Sequence, residues 1–191
     1  MYTWGYLKEN ALSKLNLSEE EANQQGFLSR FPYYANEAMT QICSAVRPKD
    51  AFFAINVTED DINTLITLPD DFIGFSDDAV RYSGGDTLDD VGDEYLEYHG
   101  YNQIICKQSG KYIIPYKARW FFFTKDLHNA TNIPAPADVC ESIPSYIVSQ
   151  CFKIDDEVKA AIYRNEFEMF LARIDDTSFK SQRTFHTGGG W

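Results

Sequence analysis

The chain has 191 residues, 44% apolar and 15% aromatic, and carries a net charge of −12. That length buries roughly 70% of its unfolded surface, so a core forms without a disulfide or metal staple, and the composition excludes a disordered chain. The acidic balance excludes the electrostatic footprint of a protein that grips nucleic acid. There is no 18-residue apolar run for a transmembrane helix, and the start, Met1-Tyr2-Thr3-Trp4, does not read as a signal peptide.

The N-terminal part reads as helix. Thr3 caps a first helix whose apolar positions Leu7, Ala11, Leu12 and Leu15 recur at helical spacing. Ser18 and Glu21 stand at capping-box spacing, with Glu19 and Glu20 placed for the helix dipole. Pro32 suits the first turn of a further helix running to about Val46, with Tyr34, Ala38, Ile42 and Ala45 on one face. The Arg47-Pro48 step ends it.

The period then changes. Phe52 to Val57 and Thr64 to Leu68 read as paired strands joined by 58–63, and Pro69 ends the second. Ser83-Gly84-Gly85-Asp86 is a turn cluster, and Gly100 and Gly110 punctuate short strands around Tyr98 and Ile104 to Cys106. Tyr112 to Phe123 reads as one long aromatic strand, with Pro115 marking an edge or a bulge. Turns this closely spaced predict antiparallel meanders.

Helix returns after a linker, 132–138, that contains Pro134 and Pro136. Pro144 is expected to open a helix through Cys151, and Asp155 or Asp156 to cap the last one. Val158, Ile162, Phe167, Phe170, Leu171 and Ile174 are its expected apolar stripe. Residues 177–191 have no apolar period and end Gly188-Gly189-Gly190-Trp191, which reads as an extended arm. The fold class is α+β: N- and C-terminal helices (1–50 and 132–176) form a bundle, 51–131 is a β-rich antiparallel insertion, and 177–191 is the C-terminal arm.

The charge is unevenly distributed. Residues 59–97 hold 13 acids and one base, Arg81, and so carry the whole net charge; the remainder balances 16 acids with 16 bases. Residues 98–125 hold Lys107, Lys111, Lys117, Arg119 and Lys125 and no acid, and the final 15 residues hold Lys180 and Arg183 and no acid. Solvated loops account for such runs, and so does complementarity between an acidic face on one copy and a basic face on the next.

Signals for chemistry are weak. Cys43, Cys106, Cys140 and Cys151 form no CxxC pair and His99, His128 and His186 are scattered, so no zinc site is expected, and the thiols read as buried and reduced. Adjacent carboxylates such as Asp70-Asp71, Asp77-Asp78 and Asp89-Asp90 do not by themselves make an acid–base pair, and 86–93 lacks the ligand spacing of a calcium loop. Gly188 to Gly190 is followed by no Lys-Ser/Thr and is not a phosphate loop, and there is no GxSxG elbow. No enzymatic activity, cofactor or metal is expected. The arm aromatics Phe179, Phe185 and Trp191 sit in a polar segment with no core of its own, a pattern that calls for a partner surface.

Several segments carry a resemblance. Leu68-Pro69-Asp70-Asp71-Phe72-Ile73, 98–105 (Tyr-His-Gly-Tyr-Asn-Gln-Ile-Ile), 110–116 (Gly-Lys-Tyr-Ile-Ile-Pro-Tyr), Ile143-Pro144-Ser145-Tyr146, 153–157 and 163–168 resemble head-to-tail connector (portal adaptor, neck ring) proteins of tailed bacteriophages, over roughly residues 5–176. The resemblance implies a helical domain with a β-rich insertion and a non-catalytic ring, typically of twelve copies. Such a ring binds the portal protein and joins it to the tail or to a second neck ring, in a virion assembled in the host cytoplasm.

Under that reading Phe179, Lys180, Arg183, Phe185 and Trp191 are the candidates for portal docking. Val158, Arg164, Phe167, Arg173, Lys107, Lys111, Lys117 and Arg119 are candidates for contact between subunits, since a ring needs two different complementary patches on each copy. Asp70, Asp71, Asp77, Asp78, Asp89, Asp90, Asp93 and Glu94 are candidates for the lumen or a neighbour; acids facing the lumen let DNA pass without binding it. No membrane contact is implied. The alternative is a tail accessory or carbohydrate-binding module that uses Tyr95, Tyr98, Tyr101 and Trp120 as a platform.

Overall fold

A computed structural model describes residues 2–85, 87–91 and 94–181, with side chains followed as far as 174. The fold is α+β, with five α-helices and antiparallel sheets among the described residues. Two compact units divide the chain: 48–120 forms a β unit, and the described residues of 1–47 and 121–191 form a helical unit.

The helical unit contains α1 (Trp4–Leu15), α2 (Glu19–Gln24), α3 (Phe31–Ala45), α4 (Ala137–Phe152) and α5 (Glu157–Ser181). Thr3 accepts the Tyr6 N–H at the start of α1, and α2 opens with the full Ser18–Glu21 capping box. On α3 the buried face is Phe31, Ala35, Ala38, Met39, Ile42 and Cys43; Tyr34 is half-buried and Ala45 exposed, so this face is rotated from the expected one.

Helix α4 packs against α1, α3 and α5, and eleven of its sixteen residues are buried. It starts at Ala137, so Pro144 lies mid-helix rather than opening it. Proline there removes one backbone hydrogen bond. Burial of Val139, Ile143, Ile147 and Val148, each contributing roughly 2 kcal/mol, offsets that loss.

The segments of the helical unit before and after the β unit are joined by backbone bonds. Trp4 and Gly5 N–H donate to the Thr131 and Asn129 carbonyls, and the Ile133 N–H donates to the Tyr2 carbonyl. Residues 121–131, assigned from the sequence to the β insertion, belong to this helical unit. Phe123 is buried against Trp4 and Phe121, and the Asn36 amide clamps it: Asn36 Nδ2 donates to the Phe123 carbonyl and the Phe123 N–H donates to Asn36 Oδ1, both at 2.8 Å.

The β unit is organised on β8 (Gly110–Ala118). It pairs antiparallel along its whole length with β1 (Lys49–Val57). Its other edge pairs with β4 (Arg81–Ser83) at 111–113 and with β3 (Phe72–Phe75) at 116–118, and β5 (Asp89–Asp90) extends the sheet beyond β4. A second sheet has the order β2 (Leu65–Thr67), β7 (Gln103–Cys106), β6 (Leu96–His99).

Three expectations are corrected here. The runs 52–57 and 64–68 do not pair; β1 joins β8 and β2 joins β7. A 3-10 turn (Glu59–Asp61) capped by Thr58, followed by Asn63 at φ 61°, diverts the chain into the second sheet. The aromatic strand stops at Ala118, not at Phe123. Pro115 lies in a central strand, opposite Phe52. Its carbonyl accepts from the Ser76 N–H on the side away from β1, so its missing N–H faces the interval between β3 and β4, where no ladder bond is needed. Gly110 is obligatory: its φ is +148°, and an added Cβ would lie 2.7 Å from the Ser83 carbonyl and the Tyr82 ring.

The last helix runs to Ser181, so 177–181 is helical where the sequence suggested an extended arm; 182–191 lies outside the described residues. Asp156 caps this helix through the Lys159 N–H, which lowers its carboxyl pKa.

Replacing Asn36 with Ala should lower the stability of the helical unit by about 2 kcal/mol, because it breaks two hydrogen bonds and leaves the Phe123 N–H without its partner. A urea titration followed by tryptophan fluorescence measures this through Trp4, which packs on Phe123.

In the β unit, burial pushes the Tyr112 and Tyr116 hydroxyls up to about 12; for Tyr116 a hydrogen bond to Asp71 adds to it. A raised folded pKa means that the native protein keeps protons the unfolded chain releases above pH 10. The stability is therefore complete below pH 10 and falls as pH rises toward 12. Unfolding titrations at pH 9 and 11 should show this loss, and Tyr112→Phe should lessen it.

Candidate functional site

Among the described residues no group of three or more His, Cys, Asp or Glu is placed to hold a metal ion, and no helix is long and apolar enough to cross a membrane. None of the four cysteines is in a disulfide, and all four are buried. Burial raises the thiol pKa of Cys106 to about 11 and of Cys140 and Cys151 to about 12, which keeps them protonated and unreactive at neutral pH.

The sequence-predicted residues fall into three groups. The acids of the β unit line loops and short strands. Asp70, Asp77, Asp78, Asp89, Asp90 and Glu94 are exposed. Asp71 is half-buried and accepts a hydrogen bond from the Tyr116 hydroxyl at 2.9 Å. Asp93 lies outside the described residues.

The bases expected to form an opposite face are interleaved with these acids. Lys107 pairs with Glu97 across β6 and β7 at 3.5 Å, and Lys117 pairs with Asp50 across β1 and β8 at 2.6 Å. Arg81 pairs with Asp90 at 3.4 Å. Lys111 is exposed on β8, between Asn56 and Ser83 of its neighbouring strands. Arg119 is half-buried, and its N–H donates to the Asp71 carbonyl at 2.7 Å. The acidic and basic segments are therefore not two separated patches: β8 carries its lysines into the middle of a sheet whose other strands come mostly from the acidic segment. Such exposed pairs contribute little stability each.

Tyr98 and Tyr101 join one aromatic cluster through Phe75 and Phe72, whose rings lie 4.9 Å apart, whereas Tyr95 belongs to a separate ring contact. Tyr95 packs on Tyr82 at 5.0 Å, Tyr98 on Phe75 at 4.3 Å, and Tyr101 on Phe72 at 5.7 Å with its hydroxyl donating to the Ile73 carbonyl. Trp120 is half-buried. Tyr98 and Phe75 also line an open cleft of about 500 Å³ with Ser76, Asp77 and Asp78.

The third group lies on α5. Phe167 is corrected: it is fully buried against Tyr146, so it is core and not a contact for a neighbour. Arg164 is half-buried; it donates to Gln41 Oε1 at 2.9 Å, pairs with Glu168 and lies over the Tyr146 and Phe167 rings. Val158 and Arg173 are exposed. Phe179 and Lys180 fall within α5 by their backbone, and Arg183, Phe185 and Trp191 lie outside the described residues.

The apolar positions of α5 separate into two stripes. Phe167, Leu171 and Ile174 face the core, whereas Val158, Ile162 and Met169 are 71%, 57% and 67% exposed, with Ile154 exposed in the preceding turn. The expected single stripe merged the two. The signal was in the spacing: 158, 162 and 169 repeat by four and seven, out of phase with 167, 171 and 174.

A comparison of the sequence with protein-family models and with curated proteins finds no match.

A thiol reagent such as DTNB should label none of the four cysteines in the native protein at pH 8 and all four in guanidinium. Rapid native labelling would show that a buried thiol is accessible.

Proposed function

We propose that this chain is a head-to-tail connector of a tailed bacteriophage: a structural virion protein that assembles as a ring of twelve copies, binds the portal and joins it to the tail. The observation that carries this reading is the architecture. A β unit rich in exposed acids is inserted between the two halves of a helical unit, the arrangement that the resemblance of 68–73, 98–105, 110–116 and 143–146 implies.

The chemistry is compatible with a conduit. Exposed carboxylates at Asp70, Asp77, Asp78, Asp89, Asp90 and Glu94 repel phosphate, so a duplex slides past without the counterion release that drives binding. The docking role falls to the C-terminal segment, with Phe179, Phe185 and Trp191 as apolar anchors and Lys180 and Arg183 as its charges. Contact between copies falls to the exposed residues of α5 and to exposed charged residues of the β unit, Lys111 among them.

The test mixes the purified protein with portal rings and measures the mass of the complex. A stoichiometric complex with copies matching the portal's supports the connector role, and absence of binding by the intact, folded protein overturns it. Deleting 177–191 removes none of the buried α5 side chains Phe167, Leu171 and Ile174, so the shortened protein should fold as before but lose the portal. Retention of portal binding by that variant would remove the C-terminal segment from the docking role.

A further inference from the structure

The exposed face of α5 has the sequence pattern of a second helix–helix seam. Val158, Ile162, Asn165, Met169 and Ala172 are spaced 4, 3, 4 and 3 residues apart, and all five are uncharged and exposed. That is the alternation of core positions in a coiled coil, over about 21 Å of helix. A helix whose other face already packs on α4 would normally present charge to water. Here the charges stand to either side of the seam: Glu168, which also pairs with Arg164, flanks one edge, and Lys159, Glu166 (held by Lys14) and Arg173 flank the other.

We infer that α5 pairs with α5 of a second copy of this chain, parallel and in register, through this seam. Three features select that occupant and orientation. Asn165 sits in the middle of the seam, where an amide is tolerated only opposite a polar partner, and the in-register pairing sets it against its own counterpart. Glu168 and Arg173 are five residues apart on opposite edges, the spacing at which flanking residues of two parallel helices meet, so the pair gains two Glu168–Arg173 contacts. Antiparallel pairing would instead set like edges together and lose these contacts. The helix is already ordered by packing of Phe167, Leu171 and Ile174 in its own copy, so a short seam suffices without the cost of forming the helix.

An isologous contact closes at two copies. The pair is therefore a solution state that must open before Val158 and Arg173 can serve neighbours in a connector ring, and the inference does not depend on the portal reading. Portal mixing tests that reading, and the protein alone tests this one.

The experiment introduces Val158→Cys and Ala172→Cys one at a time. The four native cysteines are buried and contribute little background. Under mild oxidation each variant should yield a disulfide-linked dimer, and sedimentation of the unmodified protein at increasing concentration should show a monomer–dimer equilibrium. Glu168→Arg should weaken the dimer about tenfold, and adding Arg173→Glu should restore it. Two results would overturn the proposal: a monomer at every concentration, or cross-linking only in the Val158→Cys/Ala172→Cys double variant, which signifies antiparallel helices. These positions are exposed, so the variants should fold as the parent does, which circular dichroism checks.

Discussion

Burial of α4 on nearly every side is the constraint from which the helical unit follows. From Ser142 to Ser149 every residue is buried, so this stretch of the helix has no face that water can solvate. It must be covered by several partners, and the partners come from both ends of the sequence: α1 and α3 from before the β unit and α5 from after it. The bonds between Tyr2, Trp4 and Gly5 and the segment 129–133 are a consequence, since the two halves of the helical unit have to meet around α4. The same packing accommodates Pro144, because the lost backbone bond is small against the apolar area that the helix removes from water.

The β unit has its own organising element. Strand β8 supplies Tyr112, Ile114, Tyr116 and Ala118 to a core completed by Val57, Leu68, Phe72, Val80, Leu96, Ile104 and Cys106. Two short strands rather than one long one flank its second edge, and the interval between them faces Pro115. Gly110 allows the start of β8 to approach Ser83 and Tyr82 closely. The charge that dominates the sequence is peripheral to all of this: the acids occupy loops and exposed strand positions, and several meet lysine or arginine on the adjoining strand.

The buried cysteines are held protonated, Tyr95 and Tyr98 pack on neighbouring rings, and three exposed apolar residues, Val158, Ile162 and Met169, share one seam of α5. A surface of this kind is suited to assembly, which is the common ground between the connector reading and the pairing of two copies through α5.

Local physical chemistry was legible in the residues themselves. The Thr3 cap, the Ser18–Glu21 box, the Asp156 cap, the buried positions of α1, the α+β class and the insertion of a β segment between helices each depend on spacing within a few residues or on a change of period. Partner choice was not legible in that way. The pairing of β1 with β8 spans more than fifty residues, and nothing in 52–68 distinguishes it from a hairpin. Whether Val158 and Ile162 lie with Phe167 in the core or on the opposite face depends on which side of α5 meets α4, a choice made by the packing of the whole unit. The interleaving of acids and bases likewise follows from strand order. Sequence by itself determined the elements, their caps and the location of the charge, because those are set by neighbours along the chain. Tertiary structure alone decided the strand partners, the burial of Phe167 and the exposed seam of α5, because those are set by contacts between residues far apart in sequence.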